Sequence, residues 1–66
     1  MTEDEIRHIF VEIADGRGNH GSFLRSFAAA VLWADEHNFQ LLLPAMKAIV
    51  IKYNLEYHLH NYEASK

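Results

Sequence analysis

The chain has 66 residues, half of them hydrophobic, with six Lys and Arg against nine Asp and Glu and a net charge of −3. This length corresponds to one small domain, and the apolar content favours a folded core over disorder. The chain has no cysteine, which excludes disulfides and thiolate metal sites and agrees with a reducing compartment. The acidic start MTEDEI is unlike a signal peptide, and no stretch approaches the roughly 20 apolar residues of a membrane span. We therefore expect a cytoplasmic domain without a membrane segment.

The first predicted element is a helix over about residues 3–14. Thr2 and Glu5 have the spacing of a capping box, in which each side chain accepts a hydrogen bond from the other residue's backbone N–H. Asp15 and Gly16 predict the end of the helix, because glycine readily takes positive φ. Its apolar residues recur at helical spacing and predict one buried stripe: Ile6, Ile9, Phe10 and Ile13.

The second predicted helix covers about residues 22–34 and contains strong helix formers in the run SFAAAVLWA. Asn19 and Ser22 are its candidate N-caps. The expected inward face is Phe23, Phe27, Ala30, Val31 and Ala34, broadened by Leu24, Ala28 and Leu32.

The third predicted helix covers about residues 36–53, with Asp35 as its N-cap and Asn54 at its C-terminal end. Proline lacks an N–H and clashes with the carbonyl four residues earlier, so we expect a break at Pro44. The predicted inward stripe is Leu42, Ala45, Met46, Ile49 and Tyr53. The fold prediction is an all-α bundle of three helices over residues 1–55, followed by a tail, 56–66, that docks, extends the last helix or stays loose.

The third helix has more apolar residues than one inward stripe needs, whereas a surface helix normally has a polar face. One explanation is that the tail and the first helix cover both of its sides. The other is an exposed patch that binds another chain, and small domains gain most from such association. This second explanation predicts self-association or binding of another protein, with Arg17 and His20 at the polar margin. The predicted contact residues are Trp33, Leu41, Leu43, Val50 and Ile51.

The segment DGRGNHG, Asp15 to Gly21, is glycine-rich and precedes a helix, where free backbone amides can bind an anion. It lacks the Lys-Ser/Thr ending of a P-loop, and no strand precedes it. We interpret it as a tight interhelical connector. In this interpretation Gly21 allows a close backbone approach, and His20 ties the loop to the turn at Asp35.

The histidines raise the question of a metal site. His58 and His60 lie on one side only of an extended tail, and zinc would need further ligands, with His37, Glu56 and Glu63 as candidates. Because no dense ligand spacing is present, we expect no metal and no cofactor, and a metal-linked assembly through the tail histidines is a weaker alternative.

Catalytic chemistry has little support in the sequence. His20 with Asp35, or His37 with Glu36, are the available pairs, and adjacent helical residues do not face one another. No Ser-His-acid or Cys-His arrangement is present, so we expect a protein that is not an enzyme.

Nucleic-acid binding is the alternative function, with Arg25, Lys47 and Lys52 as its basic residues. A recognition helix places basic and amide side chains in the groove, whereas the third helix is mainly apolar. The acidic charge balance also argues against phosphate-backbone binding.

The stretch from His20 to Leu55 resembles small uncharacterised proteins encoded in phage, prophage and some bacterial genomes. The resemblance is carried by HGSFLRSFAAAV, by AD with Asn38 three residues after Asp35, by LLLP and by KYNL. It implies a helical, phage-type accessory protein of the bacterial cytoplasm, a class in which many members bind a host or phage protein. It carries no activity, cofactor or site residue over to this chain.

Overall fold

The computed structural model describes residues 1–60 and residue 62. Within them the chain forms helices α1 (Glu3–Ala14), α2 (Ser22–Trp33) and α3 (Glu36–Lys52), followed by the 3-10 helix η1 (Leu55–Leu59). The described residues contain no β-strand. The predicted all-α bundle of three helices is therefore confirmed.

The ends of α1 follow from its sequence. Thr2 Oγ1 accepts a 3.1 Å hydrogen bond from the Glu5 amide, and Glu5 Oε1 accepts a 2.7 Å bond from the Thr2 amide. Gly16, at φ +90°, donates its N–H to Ile13 O at 3.0 Å. The capping box and the glycine stop that the sequence predicts are both present.

The starts of α2 and α3 differ in their capping. Asp35 caps α3, and its Oδ1 accepts a 2.8 Å bond from the Asn38 amide. The N-cap of α2 is Gly21, which has no side chain to cap with. The predicted caps of α2 were wrong, because Ser22 is already the first helical residue and Asn19 has a left-handed φ of 56°.

Helix α3 passes through Pro44 without ending, so the predicted division into two helices was wrong. A proline in a helix interior costs about 3 kcal/mol, but Pro44 and Gln40 are both exposed, so water can bind the carbonyl that loses its partner. The buried stripe of α3 continues on both sides of Pro44: Phe39, Leu43, Met46 and Val50. Burial of each such side chain contributes about 1.5–3 kcal/mol, which together outweighs the cost of the proline.

The core confirms the predicted face of α1 and corrects the faces of α2 and α3. Ile6, Ile9, Phe10 and Ile13 are all fully buried. In α2 the buried residues are Leu24, Ala28 and Val31, whereas the expected core residue Phe23 is 58% exposed. In α3 only Met46 of the predicted stripe is fully buried. The face predicted for α3 is thus rotated by about one residue, since Leu42 and Ile49 only flank the core.

The segment after α3 docks on the bundle. Asn54 has a left-handed φ of 55°, which ends the helix as predicted and turns the chain back. Helix η1 then packs against α1 and α3, and it buries Leu55 and His58. Of the possibilities for the tail, docking holds for residues 56–59, while residues 61 and 63–66 lie outside the described residues. In the described part of the chain, no helix has the length and apolar character needed to cross a membrane.

Candidate functional site

The predicted contact residues fall into different environments. Trp33 is 89% exposed, Ile51 73% and Leu41 66%. Leu43 and Val50 are buried in the core. These two were wrongly predicted as contact residues, because the helix continues through Pro44 and both side chains lie in its buried stripe.

Trp33 and Leu41 lie together on one surface, at the corner where α2 turns into α3. They line a shallow groove with Ala30, Ala34, Asn38 and Leu42, and we call these six residues the Trp33 patch. In α3, Asn38, Leu41 and Leu42 have the spacing i, i+3, i+4, which places them on one helix face. In α2, Ala30 and Trp33 lie one turn apart, and Ala34 is the extended C-cap that follows the helix. The patch therefore spans the end of α2, the Ala34–Asp35 turn and the first half of α3.

The Trp33 patch is uncharged and mainly apolar. Its largest side chain, Trp33, is 89% exposed. Two alanines line the groove with Trp33: Ala30 lies one turn before it in α2, and Ala34 follows it as the C-cap. The patch thus has an exposed indole with two small side chains next to it.

Ile51 belongs to a different surface. It lines a groove with Met1, Ile6, Lys47, Val50 and Glu56, which we call the Ile51 groove. Ten residues of helix separate Leu41 from Ile51, which is about 15 Å along the axis at 1.5 Å per residue. The predicted single contact surface is therefore two surfaces, of which the Ile51 groove carries charged residues and the Trp33 patch does not.

A polar cluster lies where η1 meets α1 and the loop before α2. His58 Nδ1 is 2.8 Å from Glu12 Oε1, and His58 Nε2 is 2.9 Å from His20 Nε2. The Tyr57 hydroxyl is 3.1 Å from the same His20 nitrogen. We call Glu12, His20, Tyr57 and His58 the His20–His58 cluster.

The protonation of this cluster follows from its geometry. The Glu12 carboxylate only accepts hydrogen bonds, so His58 Nδ1 carries a proton and donates it. Burial raises the pKa of Glu12, but the hydrogen bond from His58 and the charges of His8, His58 and Arg17 outweigh it, so the pKa lies below the ordinary value of 4.5. Burial, together with the charge of His58, lowers the pKa of His20 below its ordinary value of 6.5.

His8 completes the surroundings of Glu12. Its Nε2 atom lies 3.0 Å from Glu12 Oε2, the oxygen that His58 does not use. The contact lacks hydrogen-bond alignment, since the buried Nε2 atom has no hydrogen-bond partner. The His8 ring also contacts the ring of Tyr62, with centroids 4.8 Å apart. Glu12 therefore has an imidazole at each oxygen.

The glycine-rich loop places His20 in the His20–His58 cluster and not at the turn at Asp35. His20 bonds to residues of η1, so its predicted link to Asp35 was wrong. Gly18, at φ +83°, is the residue that allows a close approach, because a Cβ there would lie 2.6 Å from His20 Nε2 and 2.9 Å from the Tyr57 hydroxyl. No atom lies within 4 Å of the Cβ position at Gly21, to which we had assigned that role. Arg17 is exposed and lies 3.5 Å from Asp15.

The other predicted sites receive little support. His58 is bound by Glu12 and His20, whereas His60 is exposed. Among residues 1–60 and 62, no group of three or more His, Asp or Glu is placed to hold a metal ion. Arg25 lines a groove with Ala14, Ser22, Ser26 and Ala29, whereas Lys47 lines the Ile51 groove, so these basic residues do not form one surface.

Sequence reasoning missed the His20–His58 cluster because its signal is not local. Glu12 and His58 are 46 residues apart, and His20 and His58 are 38 apart. No spacing rule joins residues over such distances. The only available signal was Asn54, whose tolerance of left-handed backbone turns the chain back toward α1.

Comparison of the chain with family models, curated proteins and solved structures gave no significant match.

Proposed function

We propose that this protein is a non-enzymatic helical interaction domain that self-associates through the Trp33 patch. The observation that carries this proposal is the 89% exposure of Trp33 on an uncharged groove. Covering a Trp side chain buries about 150–250 Å², which corresponds to about 4–6 kcal/mol at 25 cal/mol per Å². Two such indoles offset much of the association cost, about 4–15 kcal/mol.

A second copy of the chain is the occupant that the patch fits best. A two-fold symmetric interface uses the same surface on both subunits and must be self-complementary. The Trp33 patch has a projecting ring beside Ala30 and Ala34, so the ring of each copy can enter the groove of the other. Because the patch has no charged residue, two chains of net charge −3 can approach there without placing like charges together.

The biological setting follows from the resemblance to phage-type proteins. We propose that the domain is a phage-type accessory or regulatory protein of the bacterial cytoplasm, without a cofactor. The resemblance and the absence of cysteine support this setting. A dimer would present two copies of the remaining surface to a host or phage protein.

Sedimentation velocity over a concentration series tests the interface. We expect a concentration-dependent dimer in the wild type, and Trp33→Ala or Leu41→Gln to weaken dimerisation by tenfold or more, as for a buried anchor residue. Circular dichroism should show unchanged helicity, because both side chains are exposed. A wild-type chain that stays monomeric at high micromolar concentration would contradict self-association.

Two matched variants locate the interface. Leu32→Gln changes an exposed leucine of α2 outside the patch, and Ile51→Gln changes an exposed residue of α3 in the other groove. We expect both variants to dimerise like the wild type. Dissociation by Ile51→Gln but not by Leu41→Gln would assign the interface to the Ile51 groove and reject the Trp33 patch.

A further inference from the structure

The contact between His20 and His58 joins two segments that lie 38 residues apart in the sequence. His20 belongs to the loop between α1 and α2, and His58 belongs to η1. Their Nε2 atoms are 2.9 Å apart, which is a hydrogen-bond distance that requires one proton between two nitrogens. His58 is almost completely buried, with Glu12 at its other nitrogen.

This arrangement accepts two protonation states and excludes a third. With Nδ1 of His58 protonated toward Glu12, a neutral pair has the proton on His20 Nε2 and a bare nitrogen on His58. A singly charged pair has the shared proton on His58 Nε2, and the Nε2 atom of His20 is then unprotonated. When both rings are charged, both Nε2 atoms carry a proton, and two donors face each other without an acceptor.

We infer that the His20–His58 contact is an acid-released latch that holds the glycine-rich loop and η1 together on α1. Addition of the second proton breaks the contact, and two like charges then repel within a few ångströms. The release separates the loop from η1 and admits water to the side of α1 on which Glu12 lies. This inference does not depend on the Trp33 patch.

The titratable and charged groups around the latch come from α1, from η1 and from the loop itself. From α1, Glu12 contacts His58, and His8 contacts the other oxygen of Glu12. From η1, the Tyr57 hydroxyl contacts His20 and can donate or accept, so it fits either allowed state. On the loop, Arg17 is paired with Asp15. In the described part of the chain, no charged group of α2 or α3 forms a hydrogen bond or ion pair with either ring.

The lowered pKa of His20 agrees with this device. Because the folded state holds the pKa of His20 below 6.5, it resists the proton that the unfolded chain takes up. Above pH 6.5, protonation of His20 therefore does not weaken the folded state. As the pH falls below 6.5, the folded state loses stability relative to the unfolded chain. Each pH unit in the window between the two pKa values changes the opening equilibrium by about tenfold.

NMR of the full chain between pH 8 and pH 5 tests the latch, in a range that lies above the titration of Glu12. The ¹⁵N shifts of the histidine rings report the protonation state of each ring. The amide protection factors of η1, corrected for the intrinsic exchange rate at each pH, report how often η1 opens. We expect His20 to take up a proton in step with the loss of protection in η1, while amides in the centre of α1 stay protected. Constant protection of η1 through the protonation of His20 would overturn the inference.

A pair of variants separates the latch from general acid effects. His20→Gln provides an amide donor toward His58 but cannot titrate, so we expect the acid step in η1 to disappear. His37→Gln removes an exposed histidine of α3 and should leave the step unchanged. An unchanged acid step in His20→Gln would contradict the latch, and if that variant does not fold, the wild-type titration alone decides the question.

Discussion

The Nδ1 atom of His58 lies 2.8 Å from the Oε1 atom of Glu12, across 46 residues of sequence. This bond attaches η1 to α1 and fixes which nitrogen of His58 carries a proton. The carboxylate of Glu12 is partly buried and the ring of His58 is buried. A hydrogen bond to a charged carboxylate is stronger than one between neutral groups. The docking of the segment after α3 therefore depends on a polar contact as well as on the burial of Leu55.

Glu12→Gln should weaken this attachment in a pH-dependent way. The amide keeps an acceptor for His58 but removes the charge, so we expect a loss of about 1–2 kcal/mol in the free energy of unfolding at pH 7. Because the folded state lowers the pKa of Glu12, the stabilisation is present above pH 4.5 and is lost as the pH falls through the folded value. The stability difference between variant and wild type should therefore close below pH 4.5.

Urea unfolding at pH 7 and at pH 3 measures both effects. Glu56→Gln is the matched control, since Glu56 is an exposed residue of η1, and we expect a change within about 0.5 kcal/mol. A Glu12→Gln variant as stable as the wild type at pH 7 would show that the His58 contact does not hold η1.

Two of the three glycines of the loop, Gly18 and Gly21, should respond in opposite directions to serine. Gly18→Ser places a Cβ at positive φ and against His20 Nε2 and the Tyr57 hydroxyl, so we expect a loss of about 1–3 kcal/mol. Gly21→Ser places a side chain in open space at the N-cap of α2. Serine there supplies the missing cap, and we expect a gain of about 0.3 kcal/mol. Thermal unfolding of both variants checks this, and equal effects would contradict the described loop.

Leu43 and Leu41 provide a direct test of the corrected face of α3. Leu43 is buried and Leu41 is two-thirds exposed, although they are two residues apart. Leu43→Ala should cost about 2–5 kcal/mol by leaving a cavity, whereas Leu41→Ala should change monomer stability by less than about 0.5 kcal/mol. Denaturant unfolding at low protein concentration measures both. The reverse order would mean that the third helix is broken at Pro44, as the sequence predicts.

The sequence predicted the helix ends better than the faces. Thr2, Asp35, Gly16 and Asn54 act within a few residues of themselves, so their roles could be deduced locally. The face of α3 depended on Pro44, because treating it as a break removed Phe39 from the stripe and rotated the rest. Burial of the continuous stripe outweighs the local cost of proline, and that comparison needs the tertiary structure.

The candidate sites could also be predicted from the sequence only in part. An excess of apolar side chains is visible in the sequence, and Trp33, Leu41 and Ile51 are exposed as expected. Their separation into two surfaces follows only from the path of the helices. The His20–His58 cluster depends on η1 folding back, and no periodicity in the sequence signals that contact.

The central claim is that the Trp33 patch is covered by a second copy of the chain, and the fluorescence of Trp33, the only tryptophan, reports on it directly. Emission spectra of the wild type and of Leu41→Gln should be recorded over a concentration series from low to high micromolar. We expect the wild-type emission to shift to shorter wavelength as the concentration rises, in parallel with sedimentation, and the variant to need at least tenfold more protein. An emission maximum that stays at the value of a water-exposed indole over the whole series would contradict the claim.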